Sequence, residues 1–259
     1  MDFTLKIYRR LIETLQANGY SFFTFEDYCQ GKVSEKYVIL RHDVDLRAGH
    51  SYTTAKIEAA LGVRASYYFR VVPQSNQPDI IQSIALLGHE IGYHYEDMSL
   101  FNGDEKKALA HFQQQLTYFR RFYPVKTISM HGSPTSRYDN KDLWKSNNYR
   151  NYGIIGEPYF DVDFNKVFYL TDTGRLWNGD RYSVRDKVKS NRIKDYRTTK
   201  QLIKSIESGV FPNMVMITTH PQRWTDNIIE WFAEFLIQKI KNQMKWLLIK
   251  NITNKVNPI

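Results

Sequence analysis

The chain has 259 residues, enough to bury a substantial core in one large α/β domain or two small ones. Its 42% hydrophobic and 15% aromatic content excludes a disordered chain, and a single cysteine, Cys29, excludes an internal disulfide framework and a cysteine-based zinc site. The formal net charge of +9 points to nucleic acid, an anionic membrane or an anionic small substrate, and no nucleic-acid motif accompanies it.

The chain opens with "LKIYRRLIETLQANG" (5–19), apolar at helical spacing and closed by Gly19. It carries neither an apolar h-region nor a small-residue cleavage site, so the expectation is a cytoplasmic protein. No stretch reaches the length of a membrane span. Then come a β-branched strand, "KYVILRHD" (36–43), a helix, "GHSYTTAKIEAALG" (49–62), and a strand, "RASYYFRVV" (64–72). The helix "PDIIQSIALLG" (78–88) begins at Pro78 and stops at Gly88, before the short strand "HEIGYH" (89–94). A long helix (103–123), a strand "KTISMHG" (126–132) and a short helix (140–147) follow. The strand "KVFYLTDTG" (166–174), the helix "TKQLIKSIESG" (199–209), the strand "NMVMITTH" (213–220) and a long last helix capped by Thr225 or Asp226 complete the chain. Residues 181–200 hold much of the positive excess, either as solvated surface or as a face for a phosphate-bearing or acidic substrate.

Strand followed by helix, repeated six or seven times, predicts a parallel sheet with helices outside, as a barrel or a doubly wound sheet. The division expected is an N-terminal helical extension (1–35), a barrel core (36–225) and a C-terminal helix (226–250) in one domain. Five strands end in chemically useful side chains: Asp43 and Asp45, His94, His131, Asp172 and His220. Parallel sheets bring strand C-termini to one rim, so these residues are expected to converge. Asp43 and Asp45 share a face of an extended segment, and their mutual repulsion is relieved by a divalent cation. The alternative is that they cap the next helix. His50 and His111 fall in predicted helices and His89 at a strand start, all three with structural roles expected, and His42 points away from both carboxylates. There is no GxSxG elbow and no P-loop.

"RHDVD" (41–45), "GHEIGYH" (88–94) and "ITTHPQRW" (217–224) occur in the order and spacing of the polysaccharide deacetylases, carbohydrate esterase family 4, which the chain resembles over residues 37–224. It is most similar to the "RHDVD" subgroup associated with surface-polysaccharide synthesis. The resemblance implies a distorted (β/α)7 barrel and a divalent metal, often zinc, that assists removal of N-acetyl groups from amino sugars. It implies Asp43 as catalytic base, Asp45 and His94 as metal ligands, Asp172 as the partner of His220, and His220 as general acid. Trp177 is expected to wall the substrate and Arg223 to bind an anionic group on it. The family's second metal histidine falls at Met98, and a thioether suits such a site poorly. Glu96 and His131 are the substitutes, of which His131 restores an aspartate and two imidazoles. A cytoplasmic location and the basic balance narrow the expected substrate to an amino sugar, nucleotide- or lipid-linked, on the way to lipopolysaccharide or capsule. A catalytically inactive sugar-binding relative, or a deformylase or amidase on the same fold, are the alternatives.

Overall fold

The computed structural model describes residues 1–177, 188 and 195–256, with side chains through Met244. The basic stretch at 181–200 therefore lies largely outside the described residues. Seven parallel strands are described: β1 (Ser21–Phe23), β2 (Tyr37–Val44), β3 (Ser66–Phe69), β4 (Glu90–Tyr95), β5 (Ile128–Met130), β6 (Phe168–Thr171) and β7 (Met214–Thr219). They run β5-β4-β3-β2-β7-β6, with β1 paired to the first half of β2, in a half-barrel that realises the expected distorted (β/α)7 architecture. Strands β2 to β5 build outward in one direction, and the chain then returns so that β7 pairs with the other edge of β2. That reversal opens a crevice at the C-terminal end of β2, where parallel folds place their sites.

Nine α-helices surround the sheet among the described residues: α1 (Leu5–Ala17), α2 (Phe25–Cys29), α3 (Ala48–Ala60), α4 (Pro78–Leu86), α5 (Asp97–Leu100), α6 (Glu105–Phe119), α7 (Pro158–Asp161), α8 (Thr199–Glu207) and α9 (Ile228–Val256). The large core lies on one sheet face, where Val38, Leu40 and Val44 of β2 meet Leu11, Leu15, Ile81 and Phe112. Tyr37 and Ile39 point the other way and pack with Phe25, Tyr68 and Met216. This period of two decides the chemistry, because it sends Arg41 and Asp43 to one face and His42 to the other. Gly92 on β4 is required by close approach: a Cβ there would overlap the Tyr68 ring and come within 2.9 Å of Thr127 O.

The short helices α2, α5 and α7 were not expected, and further local features differ from expectation. Strand β1 was not anticipated, because three residues with no alternation give no strand signal. The last helix begins at Ile228, and Asn227 Oδ1 accepts from the N–H groups of Ile229 (3.0 Å) and Glu230 (3.2 Å), so Asn227 caps it in place of Thr225 or Asp226. Thr225 instead accepts from Asn227 N, one step earlier in the same turn. Finally, α3 begins after Arg47 in a left-handed conformation (φ 53°) with no side-chain cap, so neither Asp43 nor Asp45 caps it.

Candidate active site

Asp43 is the penultimate residue of β2 and Asp45 follows that strand's end; His94 lies within β4; His131, Asp172 and His220 directly follow β5, β6 and β7. A cavity of about 320 Å³ opens among Asp43, Asp45, His94, His131 and His220. α9 forms one of its walls with Glu234, Gln238 and Lys241.

Asp45, His94 and His131 each offer a ligand atom, all within 4.8 Å of one another. Asp45 Oδ1 stands 3.7 Å from His94 Nε2 and 3.5 Å from His131 Nε2. It is buried and, among the described residues, has no hydrogen-bond partner. Each histidine donates its other nitrogen elsewhere: His94 Nδ1 to Ser129 O (2.9 Å), His131 Nδ1 to Glu96 Oε2 (2.9 Å). Such outer bonds turn Nε2 lone pairs toward a cation. An orphaned buried carboxylate oxygen facing two imidazole nitrogens is the donor set of a three-residue divalent metal site. Burial opposes ionisation of Asp45, but the facing His131, His220 and His94 hold its carboxyl below the usual range.

Glu96, the other substitute considered for the missing histidine, stands behind this set. Arg70 grips it through two 2.8 Å bonds, and it receives the His131 proton. Burial would raise its pKa, yet the bond from His131 and the Arg70 charge bring it to about 2. Met98 is buried in the core on α5 and does not line the cavity.

Asp43 faces the cavity beside this set, with Oδ2 3.9 Å from His94 Nε2. Arg41 clamps it: Nε donates to Oδ1 (2.9 Å) and Nη2 to Oδ2 (2.7 Å). Burial pushes the Asp43 pKa up, and Arg41, His94 and His220 outweigh it, holding the carboxyl below its ordinary value. His220 donates Nδ1–H to Asp172 Oδ1 (2.5 Å), which leaves Nε2 turned to the cavity, 3.9 Å from Asp45 Oδ2. Asp172 is buried under four further donations, from His220 N, Trp224 Nε1 and twice from Arg223 Nη1, the second of these to its backbone carbonyl. Burial opposes its charge, but Arg223 and His220 bring its pKa to about 2.

Two expected substrate contacts sit differently. Trp177 is 2% exposed, donates to Thr199 Oγ1 and packs near Phe3 and Trp224, so it belongs to the core and does not line the cavity. Arg223 does line the cavity, but its Nη1 is committed to Asp172. The sequence reading overlooked Arg41, the Arg70–Glu96 pair and Gln222, whose Nε2 lies 3.3 Å from Asp45 Oδ2. Arg41 was detectable, since it stands on the same strand face as Asp43. The remaining histidines are bonded away from the cavity. His42 Nε2 donates to Glu58 and His89 Nδ1 accepts from Ala65 N. His111 bonds Asp97, and His50 Nε2 lies 3.5 Å from Glu230.

No family model and no curated protein matches the sequence. The fold has solved neighbours. They are members of carbohydrate esterase family 4, one of them a pseudoenzyme. One is the Xyl-CE4 domain of a multidomain xylanase from the hindgut metagenome of Trinervitermes trinervoides, with 14% identity and a TM-score of 0.42 over 81% of this chain and 85% of that one. A mutant CE4 family pseudoenzyme shares 12% identity, with a TM-score of 0.44 over 81% of this chain and 64% of that one. A family 4 carbohydrate esterase from Streptomyces lividans, in complex with acetate, shares 15% identity, with a TM-score of 0.39 over 82% and 91%. These likenesses are remote.

Proposed function

We propose that the chain is a metal-dependent hydrolase that removes an N-acyl group, acetyl in the first instance, from an amino sugar. The observation that carries this is Asp45 Oδ1, buried, without a hydrogen-bond partner among the described residues, and faced by the Nε2 atoms of His94 and His131. Asp45, His94 and His131 would hold the divalent cation, with zinc suited to one carboxylate and two imidazoles. Such a cation, when bound, supplies Lewis-acid activation of the amide carbonyl and of water.

The remaining work falls to this chain's own groups. Asp43, kept ionised and aimed by Arg41, takes the proton of the attacking water. His220 presents Nε2 to the cavity and returns a proton to the departing nitrogen, so the products are a carboxylic acid and an amine. Asp172 fixes the His220 tautomer by accepting from Nδ1. Arg70 and Glu96 hold the His131 ring. With His131 standing where an imidazole is needed, the catalytic reading is favoured over an inactive sugar-binding relative.

The motif resemblance supports an amino sugar in surface-polysaccharide assembly, and the net charge of +9 supports one carried on a nucleotide or lipid phosphate. The test is purification followed by elemental analysis, then zinc reconstitution and assay of acetate release from nucleotide- and lipid-linked N-acetyl amino sugars. About one divalent ion per chain and zinc-dependent acetate release are expected. A chain that binds no divalent metal, or releases formate but no acetate, would overturn this assignment.

A further inference from the structure

A second cavity, of about 740 Å³, shares Gln238 as a wall with the catalytic one. Phe3, Trp231 and Phe235 give it an aromatic side, while Arg175, Arg197 and Lys239 bring three cations to it. Arg175 is the unusual member. It is 6% exposed, and it follows Gly174 in a turn where both residues take positive φ (58° and 75°). For a long side chain that conformation is strained, and strain of this kind persists where the surroundings impose it.

The Arg175 guanidinium sits over the rings of Phe3 (5.1 Å) and Trp231 (4.6 Å). Aromatic faces attract the charge but accept none of its in-plane N–H groups. Nη1 and Nη2 are both buried and, among the described residues, without a hydrogen-bond partner. Asp172, Asp2 and Glu234 act on its charge from a distance, and none bonds either of those nitrogens. Asp2 also lines this cavity, with its carboxylate turned to the N–H groups of Phe3 and Thr199. A buried guanidinium with two terminal nitrogens left over is costly unless an anion completes it.

We propose that this cavity binds a phosphate or diphosphate ester, with Arg175 forking onto phosphoryl oxygens and Arg197 and Lys239 adding charge. A guanidinium matches phosphate geometry through paired N–H donors. Phe3, Trp231 and Phe235 then receive the apolar or aromatic group that the phosphate carries, a nucleoside or a lipid chain. Resting on the hydrolase assignment above, this makes the substrate an amino sugar linked through phosphate, its sugar in the catalytic cavity and its carrier beside α9.

The test is calorimetric titration of the full chain with inorganic pyrophosphate, in chelator so that no metal contributes. Saturable binding is expected, with Arg175→Met weakening it at least about tenfold. The thermal midpoint of Arg175→Met without ligand should equal or exceed that of the unaltered chain, because a buried charge with two unbonded nitrogens has been removed. Arg175→Lys, which keeps the charge but not the fork, should bind with intermediate affinity and serves if the Met variant fails to fold. Displacement of pyrophosphate by uridine diphosphate marks a nucleotide carrier, and displacement by farnesyl diphosphate a lipid one. No saturable binding, equal binding by Arg175→Met, or displacement by neither competitor overturns the proposal. His131→Ala should bind pyrophosphate unchanged, so failure of the hydrolase assignment shows separately, in the acetate assay.

Discussion

Asp43 and Asp45 stand close together on one strand end, yet they meet different surroundings. Asp43 is clamped by a guanidinium and Asp45 faces imidazoles. Asp43→Asn is therefore expected to lower kcat by about 10²- to 10⁴-fold while bound zinc, read by elemental analysis, stays the same. Glu96→Ala should instead weaken zinc affinity about 10- to 100-fold in a chelator competition, because His131 loses the group that orients it. Glu90 gives a prediction about pH. Burial pushes its pKa from 4.5 up to about 7, against the bonds it accepts from Ser66, Thr127 and Glu26 N. Between those two values the folded chain keeps a proton that the unfolded chain has released. The contribution of Glu90 to stability is thus fully present below pH 4.5 and lost as pH rises through about 7. Urea midpoints at pH 5 and pH 8 should differ by less in Glu90→Gln, which stays neutral throughout; an undiminished difference would assign the slope to other groups.

At the scale of elements, one buried carboxylate ties several together. Glu58 of α3 accepts from Tyr8 of α1, His42 of β2 and Tyr67 of β3, all fully or nearly fully buried. Burial would raise its pKa, and His42 and its other partners hold it below the usual range. Glu58→Ala removes the shared acceptor from three donors at once, and a loss of about 3–5 kcal/mol in urea denaturation is expected. This cluster explains why His42 sits inside the most informative motif yet stays out of the site: strand alternation sends it to the helical face, where it joins α1, β2 and α3. The helix boundaries were legible in the sequence wherever glycine or proline punctuated them, as at Gly19, Pro78 and Gly88. Strand β1 was not, since it exists only through its pairing with Tyr37, Val38 and Ile39 of β2.

Across the whole molecule, the candidate metal ligands come from β2, β4 and β5, the hydrogen-bonded Asp172–His220 pair from β6 and β7, and the cavity wall from α9. A cation bound there links three strands and favours only the folded chain. Zinc is expected to stabilise the folded chain by about 2.7 kcal/mol at one hundred times its dissociation constant, read as a thermal midpoint that keeps rising with the logarithm of zinc concentration, and His131→Ala should abolish most of that shift. α9 adds a further constraint: its inward Glu234 and Gln238 are buried against the site, while Ile229, Leu236 and Ile240 are exposed on it. No helix among the described residues is long and apolar enough to cross a membrane.

The sequence by itself determined the alternation of strand and helix, and with it the ends of β2, β4, β5, β6 and β7 where the chemical side chains stand. That information is local, because apolar runs, punctuating residues and a period of two are all properties of neighbouring positions. Only the tertiary structure decided what those side chains meet. It put Glu96 behind His131, Arg223 on Asp172, Trp177 in the core and Met98 away from the cavity. It also left Asp45 Oδ1 and Arg175 Nη1 and Nη2 among the buried atoms that have no hydrogen-bond partner among the described residues. Such relations depend on distances between residues far apart in the chain, and no spacing along the sequence encodes them.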